Sequence, residues 1–350
     1  MSEYLNNGRR IFLALTVSIA VIFTPFIDRY SKLSAASSED ERIIGLMEGA
    51  KKEETVSFYT ALSVDDVRVV VGKFHEKYPF IKVDLYRASN LAVLNRLLIE
   101  NKANRRINDV VMVTGDMTMA IKDNGLLAKY SSPESKFYPN AFKDKDGYWT
   151  DHHISVHAVV YNTRLVSPKE VPVKYKDLLN PKWKGKIGIN LNNHMWPAAI
   201  IDSMGEREGL EFLNALSRQN TTVRRGGYLT TMLVAAGELA LGVSVNANTV
   251  EEVKEKGATV DWIRLNEPVY ADLHPVALNA QAPHPNAGKL LIDFLLSEEG
   301  QNLGLQLGQI SARTGMRPSY IKTENIRPLK PAPGKDSGYY QKLIKNIFVK

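Results

Sequence analysis

The sequence contains no cysteine at all. This excludes disulfide bridges, thiolate nucleophiles, cysteine-based zinc sites and a lipid-modified cysteine near the N-terminus. It also lacks a Gly-x-Ser-x-Gly elbow, a His-Glu-x-x-His helix and a Gly-Lys-Ser phosphate loop, so the motif-borne hydrolase, metalloprotease and nucleotide-binding readings have no support. There is no internal repeat, and no low-complexity tract beyond a Pro-rich stretch, RPLKPAPGKDSG, near the C-terminus. Basic charge is scarcer than the total suggests. The formal net charge is +7, but residues 1–36 contribute +2 (four basic, two acidic) and residues 321–350 contribute +5 (seven basic, two acidic), which leaves the body at 37–320 neutral. A neutral body without interleaved arginine and aromatic side chains offers no footprint for a phosphate backbone, so nucleic acid is excluded as a partner.

At 350 residues the chain is long enough for two compact lobes. Its first segment has the layout of an export signal: Arg9 and Arg10, an uncharged apolar run from Ile11 to Phe26, then small residues at Ser34, Ala35 and Ala36. The arginine pair before the apolar run also resembles a twin-arginine signal. Residues 1–36 are therefore expected to direct export, or to anchor the chain in the membrane if they are retained.

Thr55 to Leu62 alternates and is rich in β-branched and aromatic residues, so it reads as a strand. Ser63 and Asp66 then form a capping-box pattern ahead of an apolar helical stripe. With the strand IKVDLYRAS, the helix NLAVLNRLLIENKAN and the buried strand NDVVMVTGD, the pattern is β-α-β-α-β, a sheet wound between helices. Asp151 to Thr163 predicts a further strand, and Lys186 to Asn190 another. Helices follow near Trp196–Met204, Glu208–Arg218, Leu229–Gly237 and Thr249–Lys256. An extended stretch, PVYADLHPVALNA, and further helices complete an α/β chain.

Several stretches together resemble the bacterial extracellular solute-binding proteins of ABC importers, in the branch that includes ferric-ion and aminophosphonate binders. They are VSFYTAL, VVYNT from Val159, DLLNPKWKGKIGI from Asp177, AAGELALGVSV from Ala235, and HPVALNAQAPHPNAGKLLIDFLLSEEGQ from His274. Their order and spacing carry the resemblance. It implies a two-lobed type 2 periplasmic binding protein, with crossings between the lobes near His153–Tyr161 and Val269–Val276. Residues 37–155 and 273–350 would form one lobe and 156–272 the other. A monomer in the periplasm, no cofactor and no catalysis, a small-molecule ligand and delivery to a membrane ABC permease are further implications.

In such a fold, strand-to-helix turns aim backbone N–H groups and capping side chains into the cleft. The expected ligand-binding set is therefore Thr60, Ser63, Ser89, Asn90, Asp116, His194, Trp196, Arg225, Gly226, Tyr228 and Asn246. His153, Tyr270 and His274 join it from the crossing strands. Ser63, Ser89 and Asp116 are equally explicable as helix caps, Trp196 as a packed side chain, and the arginines of RRGGY as surface charge. Strand alternation places His153 and His157 on one face and His152 on the other. Asn246 is read as a ligand contact, with Asn248 or Thr249 capping the next helix.

Ferric binders of the resembled family hold iron with adjacent tyrosines after the strand corresponding to LGVSV, where this chain has Asn246, Ala247 and Asn248. A carboxamide is neutral and a ferric ion demands anionic oxygens, so iron is disfavoured. The expectation is a small anionic organic solute, with Arg225 as its cation and Trp196 as an aromatic wall. The alternative is ferric iron or another metal as cargo.

Overall fold

The computed structural model describes residues 39–265, 268–321, 326–329 and 337–349, and the export signal expected over 1–36 lies outside them. Helix α1 (39–53) leads into β1 (Thr55–Thr60), α2 (Val64–Lys77), β2 (Lys82–Arg87), α3 (Asn90–Lys102), β3 (Val110–Met112) and α4 (Gly115–Asp123). The long strand β4 (Thr150–Asn162) follows. Next come β5 (Ile187–Asn190), α5 (Trp196–Met204), α6 (Glu206–Ser217), β6 (Thr222–Arg224), α7 (Gly227–Ala235), β7 (Leu241–Asn246), α8 (Ala247–Glu255) and β8 (Val260–Trp262). The chain ends with β9 (Val269–Leu278), α9 (Pro285–Leu296), α10 (Glu298–Gln306), β10 (Ile310–Ser311), β11 (Ile326–Pro328) and α11 (Ser337–Phe348).

Two parallel groups of strands are joined by two long antiparallel ones. In the first group β1 lies between β2 and β3, both parallel to it. In the second, β5 lies between β6 and β7, again parallel. Such strands are covered on both faces by helices and so read as apolar runs, as VVM of β3 and IGIN of β5 do, every residue being buried. Strand β4 changes partner midway. Its Thr150–Val156 portion pairs with β9, and from His157 onward it pairs with β7 and β8. Strand β9 pairs with β3 through Val276–Leu278 and with β11 through Val269–Ala271. These two strands are thus the physical link between the two groups.

The first group packs Phe58, Val110, Leu290 and Leu291 into one core, which continues under α7 and α8 through Val234, Val250 and Val253. The outer face of the second group is a separate core of Ile187, Ile189, Leu213 and Leu216. Helix α11 packs on α5 and α6, with Ile344, Ile347 and Phe348 buried in that second core. The terminal helix, grouped by the sequence reading with the first lobe, therefore rests on the second: its apolar stripe needs a partner, and α5 and α6 supply one.

Candidate functional site

The groove between the two groups of strands holds a cavity of about 310 Å³. Five helices begin at its wall: α3 at Asn90, α4 at Thr114 and Gly115, α5 behind Asn193 and His194, α7 at Gly227, and α8 behind Asn246. They begin there because each follows a parallel strand, and parallel strands release all their helix N-termini at the same edge of a sheet. Backbone N–H groups in a first helical turn have no intrahelical acceptor and carry partial positive charge. An anion placed among them is stabilised without any cationic side chain.

Asn190 organises one side of the cavity. Its Oδ1 accepts the backbone N–H of both Asn192 and Gly226, each at 3.0 Å, while its Nδ2 donates to the Ser244 carbonyl at 2.8 Å. One buried amide thereby ties the turns after β5 and β6 to β7. Gly226 adopts φ +117°, a region side-chain-bearing residues rarely enter, and it lets the chain fold into α7. Two buried amide atoms of the wall, Asn193 Nδ2 and Asn246 Oδ1, find no hydrogen-bond partner among the described residues. Buried polar groups are ordinarily satisfied, so these are groups a ligand can complete.

Six of the fourteen expected residues line the cavity: Asn90, Asp116, His194, Tyr228, Asn246 and His274. The remaining eight are placed elsewhere. Ser63 and Ser89 are exposed caps, accepting the N–H groups of Asp66 (3.1 Å) and Ala92 (3.3 Å). The Ser63 box is only half made, because the Asp66 carboxylate accepts from Gln309 instead. Thr60 is buried and its hydroxyl receives the Leu62 N–H at 3.1 Å.

Trp196 is 1% exposed, packed among core residues with its ring 6.3 Å from Phe348. It is core, not an aromatic wall, because its position faces the sheet and α11 rather than the groove. Arg225 is exposed and lies beside Leu191, Phe348 and Val349 on the outer surface, so the expected guanidinium is absent from the cavity. Gly226 bonds to Asn190 just behind the wall, and its neighbour Gly227 does the lining. Tyr270 is buried and donates its hydroxyl to Asp202 at 2.6 Å, and burial together with that carboxylate raises its pKa.

His153 sits behind the wall, stacked on His274 with centroids 4.1 Å apart. His153 and His157 share a face, packing on His274 and Asp272 of β9, but a register shift between Asp151 and His153 upsets the alternation at His152. Such a bulge brings neighbouring side chains together, and His152 Nδ1 lies 3.0 Å from His153 Nδ1. Asp116 lies one residue inside α4, whose cap position is Thr114, so it is not the cap. Helix α8 likewise begins at Ala247, which puts Asn248 and Thr249 inside its first turn. Asn246 holds the cap position, yet its side chain makes no capping bond.

Residues not singled out in the sequence complete the wall. Ser155 Oγ lies 3.0 Å from His274 Nε2, and Asp272 Oδ2 lies 2.9 Å from Nε2 of the buried His157. Both wall residues come from the middle of the crossing strands. There, the only available signal was that a polar residue interrupts an apolar run.

The electrostatics of the wall are mixed. It contains Asp116 and Asp272, with no lysine or arginine among the described lining residues. His194 Nε2 is 3.9 Å from Asp116 Oδ2, and this interaction is the largest cause holding the His194 pKa above its ordinary value. Burial pushes His274 the other way.

Comparison with known proteins agrees with this architecture. The chain is 22% identical over 266 residues to the Fe(3+)-binding periplasmic protein of Serratia marcescens, covering 73% of this chain and 78% of that one. Its fold is similar to iron-bound HitA from Pseudomonas aeruginosa, with a TM-score of 0.73 and 20% identity, covering 84% of this chain and 99% of HitA. It is also similar to the periplasmic binding protein AfuA from Actinobacillus pleuropneumoniae with fructose-6-phosphate bound, with a TM-score of 0.66 and 21% identity, covering 85% and 99% of the two chains. These neighbours share the two-lobed type 2 fold of periplasmic binding proteins. Residues 106–318, more than half of the sequence, match the profile of the bacterial extracellular solute-binding proteins, and the chain belongs to that family.

Proposed function

We propose that this chain is the periplasmic receptor of an ABC importer, and that it captures a small organic anion, a phosphonate, carboxylate or sugar phosphate, in the cleft between its halves. The observation that carries this reading is the convergence of five helix N-termini on one amide-rich cavity. Backbone N–H groups take the role first expected of Arg225. The unpartnered amide atoms Asn193 Nδ2 and Asn246 Oδ1 orient the solute, and Asp272 accepts hydrogen bonds from hydroxyl or amine groups on its other end.

Residues 39–155 and 273–321 act as one lobe, and the described residues of 156–272 with α11 as the other, hinged on β4 and β9. The solute favours the closed form by contacts that only a shut cleft makes. The receptor works as a monomer, is exported through its N-terminal segment, and hands the solute to a membrane permease.

A metal cargo is the second reading, favoured by one observation: two carboxylates and two imidazoles, Asp116, Asp272, His194 and His274, share the wall. Against it, no three histidine or carboxylate side chains among the described residues are grouped closely enough to hold a metal ion, and the strand-to-helix turn after β7 supplies neutral amides where the resembled iron binders supply phenolates. A thermal-shift screen of the purified protein separates the two, since a ligand that binds the native state raises apparent stability by mass action. Stabilisation by phosphonates, carboxylates or sugar phosphates is the expected result. A large shift with ferric ion and none with organic anions overturns the proposal.

A further inference from the structure

We propose that His194 is the specificity-determining cation of the cleft, receiving the anionic end of the solute only in its protonated form. This rests on the organic-anion reading above. A solute anion entering this cavity meets two carboxylates and no lysine or arginine among the described lining residues. Helix N-termini alone would have to outweigh both negative charges, unless the carboxylates are compensated. Each is faced by an imidazole. Asp272 has His157 at 2.9 Å, but His157 is buried behind it and does not line the cavity. Asp116 has His194 at 3.9 Å, and His194 is itself part of the wall. At that distance Asp116 stabilises the charge of the imidazole, with help from the backbone of Asn192, so an anion that reaches the ring meets a cation already held in the wall.

The second lining imidazole cannot serve in the same way. His274 is committed to Ser155 through Nε2 and stacked on His153, and burial disfavours its charged form. The titratable groups that share the cavity with His194 are Asp116 on α4, Asp272 and His274 on β9, and Tyr228 on α7. Both carboxylates push the His194 pKa up, Asp116 most strongly, against the opposing effect of burial.

His194 and Asp116 also stand on opposite sides of the groove, one ahead of α5 and the other in the first turn of α4. A solute anion bridging His194 and the α4 N-terminus is therefore held by both halves at once. Because only the protonated imidazole attracts the anion, affinity is greatest below the raised pKa and declines as pH rises through it, by at most about tenfold per pH unit for one linked proton.

The test is calorimetric titration of the full chain with glucose 6-phosphate, citrate and 2-aminoethylphosphonate between pH 5.5 and 8.5, alongside His194→Gln, His194→Lys and Asp116→Asn. The titration of each probe is common to all four proteins, so only differences between them count. The expected result is roughly tenfold weaker binding by His194→Gln at pH 6, with a flatter pH profile than wild type. His194→Lys is expected to retain tight binding to pH 8.5, and Asp116→Asn to move the wild-type decline to lower pH. Binding of a probe with equal affinity and parallel pH profiles in wild type and His194→Gln overturns the inference while leaving the organic-anion reading intact. If no probe binds any of the proteins at any pH, the organic-anion reading fails and the inference falls with it.

Discussion

His157 Nε2 and Asp272 Oδ2 lie 2.9 Å apart where the two crossing strands meet the cavity, the imidazole 1% exposed and the carboxylate 23%. The pair fixes which way Asp272 points, and so sets the position of one of the two wall carboxylates. Replacing His157 with leucine leaves a half-buried carboxylate without its imidazole. A stability loss of about 1–3 kcal/mol is expected in chemical denaturation. An unchanged midpoint for His157→Leu would show that Asp272 is adequately solvated without it.

Asn190 supports three backbone groups from two turns and a strand. Asn190→Ala leaves all three without that partner. The expected cost is about 3 kcal/mol, and binding of any cleft ligand should weaken with it, because the α7 N-terminus loses its anchor. Asn190→Asp keeps the one oxygen that accepts both N–H groups, but sets a second carboxylate oxygen against the Ser244 carbonyl and adds a buried negative charge to the wall. It should therefore also weaken binding of an anionic solute in ligand titration.

Trp196 and Arg225 sit near the same strand-to-helix turns but should respond oppositely. Truncating the buried Trp196 ring to alanine opens a cavity against Phe348 and is expected to cost about 3–5 kcal/mol. Arg225→Ala removes an exposed charge outside the cavity. It should leave both the unfolding midpoint and solute affinity unchanged, and a marked loss of affinity would restore Arg225 to the site.

The histidine cluster on β4 and β9 predicts acid sensitivity. Burial lowers His152 to about 4 and also lowers His153 and His274. A histidine with a depressed folded-state pKa takes up its proton more readily when unfolded. Its stabilising contribution is therefore complete above an unfolded pKa of about 6.5 and disappears as pH falls toward 4, on the order of 3 kcal/mol for His152. Asp151, raised by burial, pulls the other way over an overlapping range. The measurement is accordingly the difference between wild type and His152→Gln, whose relative stability should improve as pH drops from 7 to 4. A pH-independent difference would count against the shift.

Much of the fold was legible because parallel strands and their helices leave local marks. The apolar runs of β3 and β5, the serine ahead of α2 and the periodic stripe of α6 (Gly209, Phe212, Leu213, Leu216) can each be read without knowing the partner. The site was legible only at the level of turns. Asn90, Asp116, His194, Tyr228 and Asn246 were reached by asking which turns face a cleft, and all five line it. Trp196 and Arg225 belong to the same turns and face elsewhere. Within a turn of three or four residues the chain reverses direction, so neighbouring side chains diverge by large angles. No periodicity tells which of them enters the groove.

The sequence by itself determined the α/β class, the succession of elements and the family, because these depend on hydrophobic periodicity, capping residues and motif order along one chain. Only the tertiary structure decided the composition of the cleft wall. Ser155 and Asp272 face the cavity through the pairing and bulges of β4 and β9, and α11 finds its apolar partners on α5 and α6, over a hundred residues away in sequence. Burial and charge pairing depend on contacts between segments distant in the chain, and they decide which histidine is buried neutral and which faces a carboxylate across the groove.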